Sequence, residues 1–173
     1  MRSAWVKTEE LSHILAALTP CNRLACEIAL ATGLRIGDVL QLKSEVVTRS
    51  CRFTIQEQKT GKRRRVYLPR ALWDRACSMA GPIYVFSGRC NGRKHRSRQA
   101  VYKDIRRAAA LFRLSEVVTP HSLRKAWAVD KLEETGSLKK VQKLMNHESE
   151  AVTMLYAMAD RLEQRKRGRK TVS

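Results

Sequence analysis

Residues 51–69, "CRFTIQEQKTGKRRRVYLP", interrupt a chain that otherwise reads as one helix after another. In this stretch the apolar period drops from 3.6 to about 2, β-branched and aromatic residues gather, and Thr60-Gly61 supplies a turn between two short runs. Together with "SEVVTRS" (44–50), which is equally rich in such residues, the segment predicts a three-stranded antiparallel sheet. The flanks are helical. Upstream, Thr8 caps a helix over 8–18, Pro20 opens the next, and Gly33 is a left-handed stop. Downstream, "RALWDRACSMA" (70–80) ends at Gly81-Pro82, and Ser97 caps a helix over 97–114. A further helix starts at Pro120 and stops at Gly136, and two more, 137–147 and 149–162, each open on a serine. The predicted class is therefore mainly α with a small antiparallel β-sheet. "GRCNGRKHRS" (88–97) is a basic loop rich in Gly and Asn, expected to be mobile without a ligand.

With 173 residues and 43% apolar content, the chain can bury one sizeable core as a single domain. It contains no run of about eighteen apolar residues, and "MRSAWVKTEELSHIL" has no apolar stretch of a secretory signal. Neither a membrane span nor export is expected, and the predicted location is cytoplasmic. The five cysteines form no C-x-x-C pair, which argues against a disulfide framework or zinc site and predicts reduced packing residues.

Charge narrows the function. Thirty-five Lys and Arg against sixteen Asp and Glu give +19, the footprint of a polyanion-binding protein. The excess comes in blocks: nine cations against Glu45 and Glu57 over 43–70, eight against Asp104 over 89–107, and six in "RLEQRKRGRKTVS" (161–173). Single-sign blocks favour phosphate contacts over an ordinary mixed-charge surface, and no helix sets Trp or Phe opposite such a block as a membrane-surface helix would.

Several residues bear the chemistry such a partner invites. Arg35, in "ATGLRIGDVLQL" (31–42), stands at a corner between two helices, where it can meet a phosphate or pair with Asp38 one turn along. Lys59 lies at the tip of the basic hairpin. In "TPHSLRKAWA" (119–128), His121 and Arg124 share one helix face near an N-terminus that favours anions. His147 ends a helix in "LMNHESEAVTMLY" (144–156), and Tyr156 follows nine residues later.

In order and spacing, Arg35, Lys59, His121-x-x-Arg124, His147 and Tyr156 resemble the catalytic set of the tyrosine recombinases, the phage-integrase family of DNA breaking and joining enzymes, over residues 8–160. The resemblance implies a catalytic domain over 1–160 with a basic tail over 161–173, and a site-specific recombinase acting on double-stranded DNA without metal or cofactor. It implies Tyr156 as nucleophile, Arg35 and Arg124 as clamps on the non-bridging oxygens, and Lys59 as general acid, with Lys62 as the alternative. His121 would assist proton transfer at the tyrosine, and His147 would donate to the phosphate. A homotetramer on paired DNA sites, with accessory DNA-bending proteins, in the cytoplasm at the nucleoid of a bacterial or phage-infected cell, follows from the same likeness. Other readings are a non-catalytic DNA-binding regulator of the same ancestry and a type IB topoisomerase. Where the family commonly has Gly before the second histidine, this chain has Asn146. Few residues precede the first helix, so the chain is expected to be a fragment or a short member lacking the N-terminal DNA-binding domain.

Overall fold

The computed structural model describes residues 8–113 and 117–145, with the side chains of 8–10 excepted. The chain divides into two compact units between Trp127 and Ala128. In the first unit the order is α1 (Thr8–Ala16), α2 (Pro20–Thr32), α3 (Ile36–Leu40), α4 (Ser44–Val47), β1 (Arg52–Gln56), β2 (Arg63–Tyr67), α5 (Arg70–Met79) and α6 (Arg98–Leu111). The long helix α7 (Pro120–Thr135) begins in it, and α8 (Leu138–Met145) belongs to the second. Among the described residues no helix is long and apolar enough to cross a membrane.

The predicted punctuation holds at Pro20, Gly33, Ser97, Gly61 and Gly136, while the helix expected over 149–162 lies outside the described residues. Pro20 occupies the first turn of α2, where its missing N–H costs nothing. Gly33 ends α2 at φ 65°, its N–H donating to the Ala29 carbonyl at 2.8 Å. Ser97 Oγ accepts from Ala100 N at 3.1 Å to cap α6, and Gly61 takes φ 66° in the hairpin turn. The core of the first unit is built on Leu11, Ile14, Leu24, Ile28, Leu40, Phe86 and Ile105, all fully buried. Each such side chain contributes roughly 1.5–3 kcal/mol on removal from water.

The sheet has two strands, where three were expected. β1 and β2 pair antiparallel from Arg52↔Tyr67 to Gln56↔Arg63, while residues 44–47 form helix α4. Tertiary contacts override the β-branched composition here. Ser44 donates its hydroxyl to the Gly81 carbonyl at 2.6 Å and its N–H to the Ile83 carbonyl at 3.0 Å. Val47 is fully buried, and its carbonyl accepts the Trp73 indole N–H at 2.7 Å. The segment's polar groups are thus taken by α5 and the loop after it.

The start of α2 is held from far along the chain. Asp104 of α6 accepts from Thr19 N at 2.9 Å, Thr19 Oγ1 at 2.8 Å, Asn22 Nδ2 at 2.7 Å and Arg107 Nη2 at 2.7 Å. Burial opposes the charge on this carboxyl, but the donors from Arg107, Asn22 and Thr19 outweigh it and hold the pKa down at about 2. Asn22 in turn accepts from Arg96 Nε at 2.5 Å. The basic loop, expected to move, is therefore tied down at its exit, and Gly88 N to Lys94 O at 2.7 Å closes it upon itself.

Candidate active site

Four of the six candidate residues line one cleft of about 560 Å³ in the first unit: Arg35, Lys59, His121 and Arg124. Arg98, Gln99 and Tyr102 of α6 form its other wall, and Lys62 is not among its lining residues. His147 and Tyr156 lie outside the described residues.

Each side chain is placed by a local rule. The left-handed Gly33 turns the chain between α2 and α3, so that Arg35 becomes the extended N-cap of α3 and projects from the corner. His121 and Arg124 stand one turn apart near the start of α7, with His121 exposed and Arg124 only 3% exposed. Arg124 Nη1 donates to the Gly33 carbonyl at 2.6 Å, so the second arginine is braced on the same corner that presents the first. The other face of Gly33 meets an aromatic wall. A Cβ there would fall 2.4 Å from a ring atom of Trp127, so only glycine lets the indole approach.

Lys59 is carried by the β1–β2 turn, whose base is Glu57. The Glu57 N–H donates to Lys62 O at 3.0 Å, and its carbonyl accepts from Gly61 N at 2.8 Å. The adjoining Gln58 N–H donates to Asp38 Oδ1 at 3.0 Å. The Glu57 side chain, 1% exposed, accepts from Arg35 Nη1 and Arg64 Nη1, each at 3.3 Å. Arg64 also donates to the Thr32 carbonyl at 2.6 Å and lies 5.7 Å above the Trp127 ring.

Sequence reasoning passed over Glu57, Arg64 and Trp127, and weighed Asp38 only as a partner of Arg35. A signal was available for two of them. In a strand, alternate residues share a face, and Glu57 is in phase with Phe53 and Ile55, as Arg64 is with Val66. Charges on the buried face of a hairpin must find each other, because an unpaired buried charge is costly.

The electrostatics suit an anion. Burial, then repulsion from Arg35 and Arg64, pushes the Arg124 guanidinium down to about 10, with Glu57 and Asp38 pulling the other way. Burial also lowers Arg64, opposed by its bond to Glu57. Asp38 is raised, first by burial and then, against the Gln58 N–H bond, by the neighbouring charge of Glu57. The cations nevertheless remain in excess of these two acids, and a phosphate entering the cleft would relieve the repulsion among them. Planar guanidinium forks match its paired oxygens.

The chain matches the phage integrase family over residues 4–163. It is 31% identical over 158 residues to the "Probable integrase/recombinase YoeC" of Bacillus subtilis (strain 168), covering 89% of this chain and 86% of that one. Against "Tyrosine recombinase XerD" of Mycobacterium tuberculosis (strain CDC 1551 / Oshkosh) it is 29% identical over 153 residues, covering 82% of this chain and 49% of the relative. The chain thus spans most of the first relative and about half of the second. Among solved structures, residues 75–356 of lambda integrase, crystallised as a dimer bound to a COC′ core site, superpose with a TM-score of 0.73 at 23% identity, covering 89% of this chain and 59% of that one. That likeness establishes the fold. By the extent of the family match and the identity to YoeC, the chain belongs to the phage integrase family.

Proposed function

We propose that the chain is the catalytic domain of a site-specific DNA recombinase, which cuts and rejoins double-stranded DNA through a 3′-phosphotyrosine. The observation that carries this reading is the convergence of Arg35, Lys59, His121 and Arg124 on one cleft in a chain of this family. Residues 1–160 form the catalytic domain and 161–173 a basic tail.

In the reaction, the Tyr156 phenolic oxygen attacks the scissile phosphorus and forms a new P–O bond. The bond to the 5′ oxygen breaks, and Lys59 supplies the proton that leaves with the 5′-hydroxyl. His121 assists removal of the phenolic proton. Arg35 and Arg124 hold the non-bridging oxygens, on which negative charge grows in the transition state, and His147 donates a further hydrogen bond. Rejoining is the reverse, with the 5′-hydroxyl of the incoming strand as nucleophile and the phenol as leaving group. One phosphate ester is exchanged for another, so no ATP is consumed.

The exposed cations of the hairpin and the 88–97 loop track the DNA backbone. Exchange between two duplexes cuts four strands and requires four tyrosines, which supports a homotetramer on paired sites, brought together with the help of DNA-bending proteins. Its place is with the chromosome, in the cytoplasm at the nucleoid.

The decisive experiment is incubation with a nicked substrate that traps the covalent adduct. The wild-type protein is expected to form a protein–DNA adduct, in EDTA as well as in Mg²⁺, and Tyr156→Phe to bind DNA but form none. Adduct formation by the Phe variant, or cleavage only with Mg²⁺, would overturn the mechanism.

A further inference from the structure

Glu57 sits in a neighbourhood of cations, with 1% exposure, and makes more connections than charge balance alone requires. Its Oε2 accepts from Arg35 Nη1 at 3.3 Å and from the Thr60 hydroxyl at 3.0 Å; its Oε1 accepts from Arg64 Nη1 at 3.3 Å. Thr60 follows Lys59 directly, so this carboxylate bonds to a side chain of the turn that carries the lysine. Through Arg64 the link continues to the Thr32 carbonyl, one residue before the carbonyl that braces Arg124. The corner grips the turn at a second point, where Asp38 accepts the Gln58 N–H at 3.0 Å. Lys59 therefore lies between a fixed backbone on one side and a bonded side chain on the other.

A two-stranded hairpin lacks this rigidity on its own, since an isolated pair of strands is only marginally stable in water. The lysine must nevertheless arrive within hydrogen-bond reach of one bridging oxygen while the arginines hold the same phosphate. A misplacement of about 1 Å can cost on the order of 10² in rate. We propose that Glu57 is a positioning residue for the reaction: its buried carboxylate clasps the β1–β2 turn to the α2–α3 corner and so fixes Lys59 relative to Arg35 and Arg124. This inference rests on the recombinase reading above.

The test compares wild type with Glu57→Gln, which keeps the shape but turns an acceptor into a donor facing a guanidinium, and with Glu57→Asp, which keeps the charge and shortens the reach. Three measurements are made: the single-turnover adduct rate at saturating nicked DNA, the Kd for that DNA, and amide hydrogen exchange over Gln58–Lys62. For Glu57→Gln the expected adduct rate falls by about 10–100-fold. The Kd is expected to move less than about threefold, because no phosphate contact is removed. Exchange at the turn quickens.

A second substrate, with sulfur in place of the bridging 5′ oxygen, separates positioning from general weakening. Its leaving group has a thiol pKa of about 8.5 instead of an alcohol value near that of water, about 16, and departs without a proton from Lys59. Most of the lost rate should return on this substrate. An equal loss on both substrates, a parallel loss of affinity, or an unchanged adduct rate would overturn the proposal. Should Glu57→Gln fail to fold, Glu57→Asp decides: faster turn exchange and a smaller defect relieved by sulfur support the clasp, and their absence refutes it. If the wild-type protein itself forms no adduct, it is the recombinase reading that fails. The exchange at Gln58–Lys62 then still decides the clasp, faster in the variant if it exists and unchanged if it does not.

Discussion

Arg63, Arg64 and Arg65 are consecutive residues of one strand and belong to two different parts of the molecule. Arg64 points inward, bonded to Glu57 and the Thr32 carbonyl. Its neighbours stand in solvent on the outer face, opposite Gln56 and Thr54. The same contrast separates Arg124, braced on Gly33, from the exposed Arg89, Arg93 and Lys94 of the 88–97 loop. Burial with a fixed partner converts a cation into geometry. An exposed cation instead offers long-range attraction, screened by salt within about 8–10 Å. A DNA-processing enzyme needs both, one to hold a phosphate in register and the other to find the duplex.

The comparison breaks most visibly at Arg124. Arg124→Lys keeps the charge but loses the planar fork and the Gly33 brace, and should lower the adduct rate by about 10²–10³. DNA affinity, measured alongside by anisotropy, should fall far less. A rate loss matched by the affinity loss would mean that Arg124 serves attraction and not geometry.

That division was only half legible in the sequence. Pro20, Gly33, Ser97 and Gly136 marked helix boundaries because their backbone or capping chemistry acts locally, and the structure bears them out. Motif spacing picks out Arg35, Lys59, His121 and Arg124 as candidates, and the fold brings these four to one cleft. The clasp at Glu57 was not found, since bulk charge counting set it among the nine cations of its block as a minor offset. Residues 44–47 misled for a similar reason: Val46 and Val47 suit a strand in isolation, but Gly81 and Trp73, distant in sequence, claim their segment for a helix. What depends on a partner many residues away is not written in the local pattern.

A prediction of intermediate size concerns Asp104, where five hydrogen bonds meet one carboxylate. Its pKa is depressed from 3.8 to about 2, so its contribution is present above about pH 4 and is lost as pH falls toward 2. The shift corresponds to about 2 kcal/mol. Asp104→Asn should be less stable than wild type by roughly that amount in urea unfolding at pH 6. The difference between the two proteins should shrink as both are taken toward pH 2; a difference that does not change with pH would show that charge is not what anchors α2.

The smallest effect is expected on the outer face of the hairpin. Arg63→Gln or Arg65→Gln should each weaken DNA binding uniformly across sequences and reduce the salt slope by about 1. A Kd and slope equal to wild type would mean that this face points away from DNA, and the attraction would then rest on the 88–97 loop.

The brace between Arg124 and Gly33 joins residues 91 positions apart, and the Asp104 anchor joins positions 85 apart. At typical synthesis rates of about 5–20 residues per second, the arginine is made roughly 5–18 s after the carbonyl it will grip. The order of events is fixed by the chain itself: Asp104 is made first and can secure α2, and only later can α7 close the corner. On the proposed roles, a growing polypeptide thus carries its basic hairpin well before Arg124 is available to hold a phosphate. On the proposed mechanism the nascent chain gains its attraction for DNA first, its phosphate clamp later, and its nucleophile, Tyr156, later still.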